Sequence, residues 1–213
     1  MGKMTIQQML IQLAGGMGTS IQIFLVTLIF SLPLGLLVAF GRMSKNRLLQ
    51  AVIMRGTPLM LQLMVVYFGP YYLFRIKVGS GYRLWATFIG FVINYAAYFA
   101  EIYRSGIQSM PVGQYEAAQI LGYSRFQTFF KIILPQVIKR ILPSVTNEVI
   151  TLVKDTSLAF TLSVAEMFSI AKALAASQTN MIPFVAAGLF YYIFNLVVAV
   201  GMEWVEKKMD YYR

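Results

Sequence analysis

The sequence predicts an all-α integral membrane protein, with five membrane-spanning helices and one further helix outside the membrane between the third and the fourth. Three observations carry this. The chain is 58% hydrophobic and only 12% charged, whereas a soluble domain carries about 25% charged residues. Its mean hydropathy is +0.67. Its apolar residues gather into five stretches, each near the length of about 20 residues that a helix needs to cross a bilayer. No boundary divides these stretches, so residues 1–213 read as one membrane domain.

The elements follow in order. Residues 1–18 place Ile6, Met9, Leu10 and Leu13 at helical spacing among Gln7, Gln8 and Gln12, which predicts a short interfacial helix. They hold no continuous apolar core of the kind a cleavable signal peptide needs. Gly15, Gly16 and Gly18 read as a flexible hinge. The spans are expected at roughly 20–41, 57–75, 84–103, 138–158 and 183–202. The fourth is the least apolar. Residues 160–177 are helical in pattern but short and polar for a span, and read as a re-entrant or surface segment. Gly35, Ala39, Ala96, Ala100, Ala186 and Gly188 are small residues suited to close helix packing.

Composition also excludes function classes. The chain has no cysteine and no histidine, which removes disulfides, Cys/His metal sites and Cys- or His-based catalysis. The net charge of +10 in a chain of this hydropathy points to anionic headgroups rather than nucleic acid. Arg42, Lys45, Arg47, Arg55, Arg104, Arg125, Lys131, Lys139, Arg140, Lys207, Lys208 and Arg213 fall on one side of the predicted membrane; Lys3, Arg75, Lys77, Arg83, Lys154 and Lys172 fall on the other. The richer side is the cytoplasmic one, which puts the N-terminus outside and the C-terminus inside. No G-x-x-x-x-G-K-[ST] phosphate loop is present.

The most specific stretch is 116–135, EAAQILGYSRFQTFFKIILP. Glu116-Ala117-Ala118, Gly122, Ile132, Leu134 and Pro135 fit the spacing E-A-A-x3-G-x9-I-x-L-P without a gap. Pro111 and Gly113 break the chain just before it. Glu116 is expected in the first turn of a short helix, where a carboxylate offsets the positive helix end. Ala117, Ala118 and Leu121 form a slim apolar face, and Gly122 stands where a left-handed cap would end the helix.

This pattern resembles the cytoplasmic coupling loop, about 111–135, of importer-type ABC transporter permeases. Other stretches are similar to the polar amino acid branch of that family: Arg55-Gly56-Thr57-Pro58 with Leu59-Met60-Leu61-Gln62, Ala100-Glu101-Ile102-Tyr103-Arg104 with Ile107-Gln108-Ser109, and Asn147-Glu148 with Lys154-Asp155-Thr156-Ser157-Leu158. The likeness runs from about residue 20 to 202. It implies that Glu116, Ala117, Ala118, Leu121 and Gly122 dock on an ATPase subunit. It implies a bacterial-type inner membrane protein that works with an ABC ATPase dimer, a second permease subunit and an extracytoplasmic solute-binding protein. No cofactor is expected in this chain; ATP and magnesium would sit on the partner, and nucleic acid is not a partner.

The fourth span carries a polar stripe of Asn147, Glu148, Thr151, Lys154 and Asp155, opposite Val149, Ile150, Leu152 and Val153. The spacing i, i+1, i+4, i+7, i+8 is one helix face. An intramembrane charge costs about 2.5–3.5 kcal/mol on the milder insertion scale, so three on one face require a partner, a water-filled path or a substrate. Two acids and one lysine complement a basic amino acid, with two positive groups and one negative. Lys154 is either a counter-ion to a carboxylate or the partner of the substrate carboxylate. Asn94, Tyr95, Tyr98 and Gln62 supply further polar groups, and Glu101 is expected to pair with Arg104. Three functions compete: a permease importing polar, preferably basic, amino acids; an ion-coupled carrier or channel; and an integral membrane enzyme. The second lacks internal repeats. The third would depend on Glu148 and Asp155, about 10 Å apart along a helix, too far for most carboxylate-pair chemistry.

Overall fold

The computed structural model describes residues 5–43 and 56–209. Over these residues the chain is built from helices: α1 (Ile6–Met43), α2 (Leu59–Phe74), α3 (Tyr82–Gln108), α4 (Val112–Ile120), α5 (Arg125–Thr128), α6 (Leu134–Asp155), α7 (Met167–Gln178) and α8 (Ile182–Lys208). A π turn, Phe129–Ile133, joins α5 to α6, and a 3-10 turn, Thr156–Leu162, follows α6. Lys3, Lys45, Arg47, Arg55 and Arg213, used in the charge asymmetry, lie outside the described residues.

Among the described residues three helices, α1, α3 and α8, are long and apolar enough to cross a membrane. A fourth crossing is available if the segment Arg125–Leu162 and α7, bent by 59° at their junction, are taken together. The expected second span is helical, but its 16 residues reach only about 24 Å. The helical class is therefore as predicted, with 138–158 inside one continuous helical segment and 160–177 divided between its 3-10 end and α7.

The N-terminal expectation is corrected. Residues 6–18 are not a separate interfacial helix, and the three glycines are not a hinge; α1 runs unbroken for 38 residues. The reason is packing. Met9, Leu13 and Met17 are buried against Met167, Ala171, Leu174 and Ala187 of α7 and α8. Gly16 permits this contact, since a Cβ there would lie 2.9 Å from the Met167 backbone nitrogen and Cα. Gly15 and Gly18 face open space. Farther along α1, a Cβ at Gly35 would meet the Ala96 carbonyl at 3.0 Å and the Ala100 nitrogen at 3.2 Å. The expected small-residue seam therefore joins α1 to α3, while Gly188 on α8 has no close neighbour.

The main core gathers residues of α1, α2, α3, α6 and the 3-10 turn around Ile23, Leu63, Phe91, Phe99 and Leu152. On α6 the buried residues are Val137, Ile141, Leu142, Val149, Leu152 and Val153. The polar stripe lies on another side of α6, with Asn147 and Lys154 exposed and Glu148, Thr151 and Asp155 half-buried. A long apolar surface on α8, including Val185, Leu189, Ile193, Val197 and Trp204, remains exposed, which in a membrane means exposed to lipid or to another subunit.

Candidate functional site

Two groups of residues stand out, one on the loop between α3 and α6 and one along α6. The loop is rigidly built. Pro111 precedes α4 in extended conformation and leaves the first helical turn free of a clash. Helix α4 starts at Val112, so Glu116 lies in the second turn rather than the first, and Gly113 is inside the helix. Glu116 therefore lies beyond the first turn, within which the helix dipole acts. The other end is as expected: Gly122 has φ of +78°. The Tyr123 N–H donates to the Ala118 carbonyl and the Gly122 N–H to the Gln119 carbonyl, each at 3.0 Å, a Schellman cap that satisfies the last carbonyls.

The small apolar face is divided by the fold. Ala118 is only 1% exposed and anchors α4 on its own chain. Glu116 and Ala117 are exposed, as are Ile120 at 86% and Leu121 at 73%. Gln114 and Gln136 exchange amide hydrogen bonds of 2.9 and 3.0 Å, fastening α4 to α6. Beyond Gly122, Ser124 opens α5 with a capping box: its hydroxyl accepts from the Gln127 N–H at 3.2 Å, and its own N–H donates to Gln127 Oε1 at 2.9 Å. The rings of Phe126 and Phe130 pack 4.4 Å apart and both are exposed. The sequence reading missed this aromatic extension, although S-x-x-Q before an apolar run signals the cap.

Along α6, Asp155 is the fixed point. It is half-buried, and the hydroxyl of Tyr95 on α3 donates to its Oδ2 at 2.7 Å. Glu148 and Tyr98 lie near enough to act electrostatically on the same tyrosine, and Lys154 on Asp155. Glu148, Asp155 and Tyr98 thus share one region, with Tyr95 in a more direct role than Tyr98. Asn147 and Lys154 are exposed, and the Thr151 hydroxyl donates to the Asn147 carbonyl at 2.9 Å within the helix. Asn94 and Gln62 form a separate bridge. Asn94, 4% exposed, donates to Gln62 Oε1 at 3.1 Å. Gln62 in turn donates to Thr57 Oγ1 at 2.8 Å.

Two further charged groups have structural roles. Glu101 pairs with Arg104 as expected, and also with Arg42 of α1, joining two helices that sequence spacing could not connect. Glu166, absent from the sequence reading, is 0% exposed. Its carboxylate caps α7 by accepting from the Phe168 N–H at 2.7 Å and the Ser169 N–H at 2.6 Å, and it accepts from the Tyr191 hydroxyl at 3.1 Å. Among the described residues no group of three or more His, Cys, Asp or Glu side chains is placed to hold a metal.

The helical membrane fold can be compared with known families. Residues 31–211 match the binding-protein-dependent transport system inner membrane component family. The chain belongs to this family. Among curated relatives of the permease, the L-cystine transport system permease protein TcyB of Bacillus subtilis is 34% identical over 208 residues, covering 94% of this chain and 87% of the relative. The arginine transport system permease protein ArtQ of the same organism is 33% identical over 201 residues, covering 91% and 90%. A crystal structure of an amino acid ABC transporter with histidines superposes with a TM-score of 0.83 at 25% identity, covering 97% of the permease and 100% of that chain. An inward-facing MetNI methionine ABC transporter superposes with a TM-score of 0.72 at 16% identity, a likeness of fold. The protein is an inner membrane permease subunit and not an enzyme, and ATP hydrolysis lies in a separate subunit.

Proposed function

We propose that this permease is the transmembrane subunit of an ATP-driven amino acid importer, moving polar amino acids with a preference for basic ones. The relatives that transport cystine and arginine support the class of substrate. The observation that carries the preference is the half-buried Asp155 carboxylate, held by Tyr95 on the same helix face as Glu148. Two acids against Lys154 leave the stripe net negative, and screening is weaker there than in water. The substrate's cationic groups meet Glu148 and Asp155. Asn94, Gln62, Tyr98, Asn147 and Thr151 line or support the path.

The working cycle is alternating access. ATP binding draws two ATPase subunits together, and the loops carrying Glu116, Ala117, Leu121 and Gly122 move with them. Two permease subunits then open outward to accept solute from an extracytoplasmic binding protein. Ala118 serves as the loop's anchor on its own chain. The Lys and Arg asymmetry supports an N-terminus outside and a C-terminus in the cytoplasm, which places the loop within reach of the ATPase.

The test is uptake of labelled arginine, lysine, histidine and glutamine by the assembled transporter in vesicles. Glu148→Gln and Asp155→Asn should each lower uptake of the basic substrates about tenfold or more, since a hydrogen bond to a charged group contributes about 1.5–3 kcal/mol, with glutamine uptake less affected. Basic uptake at the unmodified rate in both variants makes the stripe structural and refutes the preference.

A further inference from the structure

Asp155 ends α6, and the chain then enters the 3-10 turn Thr156–Leu162, 7 residues long. Such turns rarely exceed about four residues, because their hydrogen bonds are poorly aligned, and within a helical segment they often mark a functional hinge. This one ends at Ser163, which holds φ of +56°. A residue with a Cβ is strained in that left-handed region. Such strain persists only where the surroundings over-determine the backbone. The turn that carries the chain away from Asp155 therefore needs bracing from outside itself.

One side chain of α8 reaches both ends of it. Beyond Ser163, the Tyr191 hydroxyl donates to Glu166 Oε2 at 3.1 Å. At the near end, the Thr156 hydroxyl lies within hydrogen-bonding reach of the same phenolic oxygen. It thus has two acceptors, that oxygen and the Val153 carbonyl at 2.8 Å. Thr156 and Glu166 are both fully buried. Each end of the brace is itself fixed. Glu166 accepts from the Phe168 and Ser169 N–H groups, and the Tyr191 ring packs against both hydrophobic clusters. Asp155 and Thr156 are neighbours that turn to different helices: Asp155 accepts from Tyr95 of α3, and Thr156 meets Tyr191 of α8. The backbone between them is gripped from both sides.

We infer that Tyr191 is a positioning residue for the substrate, which rests on Asp155 meeting the substrate's cation as proposed above. Anchored on Glu166, Tyr191 braces the 3-10 turn at both ends and so holds the Asp155 carboxylate where that cation arrives. Tyr191 itself touches no substrate. Its hydroxyl can be removed without removing the ring, and Glu166 then keeps its two backbone donors. The fold is retained while the turn loses its brace. A carboxylate free to shift loses its advantage for a cationic side chain, because attraction between charges depends on their separation. A neutral side chain has no such attraction to lose.

The experiment measures uptake of labelled arginine and labelled glutamine by the assembled transporter in vesicles, read as the ratio of their maximal rates. Tyr191→Phe should lower the arginine-to-glutamine ratio about fivefold, within the range by which residues that touch no ligand modulate coupling elsewhere. Thr156→Val, which removes the hydroxyl at the near end of the brace, should lower the ratio in the same direction. A residue that only stabilises the fold would slow both substrates alike and leave the ratio unmoved. That result, or an unchanged arginine rate in either variant, overturns the inference. Asp155→Asn separates this inference from the reading it rests on. Where Asp155→Asn alone lowers the ratio, adding Tyr191→Phe should lower it no further, since no carboxylate is left to position. A further fall would mean that Tyr191 acts elsewhere, which overturns the positioning role and leaves that of Asp155 standing. If Asp155→Asn leaves the ratio unchanged, the preference for basic substrates fails, and the positioning role with it.

Discussion

Gly16 offers a quantitative test of how α1 is held. A Cβ at this position would stand 2.8 Å from Ile170 Cδ1 and 2.9 Å from both the Cα and the nitrogen of Met167. The isoleucine methyl can rotate aside; the Met167 backbone cannot, because it follows the Glu166 cap that starts α7. In Gly16→Ala the two helices must separate by about 0.6 Å to restore an ordinary contact of about 3.5 Å. Overpacking of this kind costs about 1–3 kcal/mol. The alanine also gains about 1 kcal/mol of helix propensity, which obscures the loss in a single variant. Gly15→Ala and Gly18→Ala supply the correction. Both positions face open space, so each takes the propensity gain without the clash. The difference between Gly16→Ala and these controls is therefore the steric cost alone. At about 2–4 °C per kcal/mol for a chain of this size, Gly16→Ala should melt about 2–12 °C below them. The assay is thermal unfolding of the three purified variants in one detergent, followed by intrinsic fluorescence. A flexible hinge would instead be stiffened alike by all three alanines. Equal melting temperatures would refute the packing argument.

Two other expected outcomes concern the loop. Gly122 adopts φ of +78°, so Gly122→Val should strain the cap by about 1–2 kcal/mol and uncouple ATP hydrolysis from uptake, while Gly122→Asn, which tolerates the left-handed region, should keep most coupling; full coupled transport by the valine variant would count against the docking role. Because the chain has no native cysteine, a single Gly113→Cys, at an open position on α4, should react with an impermeant thiol reagent only in inside-out vesicles, and labelling of intact cells would reverse the proposed topology.

What the sequence made legible were the features fixed by local pattern. The alternation of Val149, Leu152 and Val153 with Glu148, Thr151 and Asp155 told which face of α6 enters the core, because a helix separates the two at its own period. Gly122 was legible because a left-handed cap leaves few alternatives to glycine. The misreadings came where a local signal had a non-local answer. Three glycines near the start of α1 suggested flexibility; one of them is a contact with a helix some 150 residues later. Ala118 looked like its neighbour Ala117 and is turned inward by the Gln114–Gln136 bridge. Glu166 had no visible role, since its hydroxyl partner, Tyr191, is distant in sequence. Its burial is tolerated because three donors satisfy the carboxylate.

The connectivity also bears on how the two candidate regions could act together. The helical segment that leaves the loop at Arg125 continues through the π turn to Leu162, and Glu148 and Asp155 are carried on it. It spans about 55 Å along its axis at 1.5 Å per residue, enough to reach from the loop across the hydrocarbon core. The joints between α4 and α6 are held by hydrogen bonds. The Schellman cap fixes the end of α4, the capping box fixes the start of α5, and the glutamine pair ties α4 directly to α6. In the proposed cycle, movement of the loop shifts α6 as a body, and with it Asp155 relative to its tyrosine partner on α3. The contact that would change is the Tyr95–Asp155 hydrogen bond, which makes the carboxylate more accessible when the helices part. In the proposed cycle this places release of Asp155 at the step where the path opens to substrate, and explains why a carboxylate would be held by a neutral hydroxyl rather than by an ion pair. A hydroxyl partner gives it up at lower cost, since a hydrogen bond to a charged group nets about 1.5–3 kcal/mol, whereas leaving one member of a buried ion pair without its partner costs about 3–5 kcal/mol.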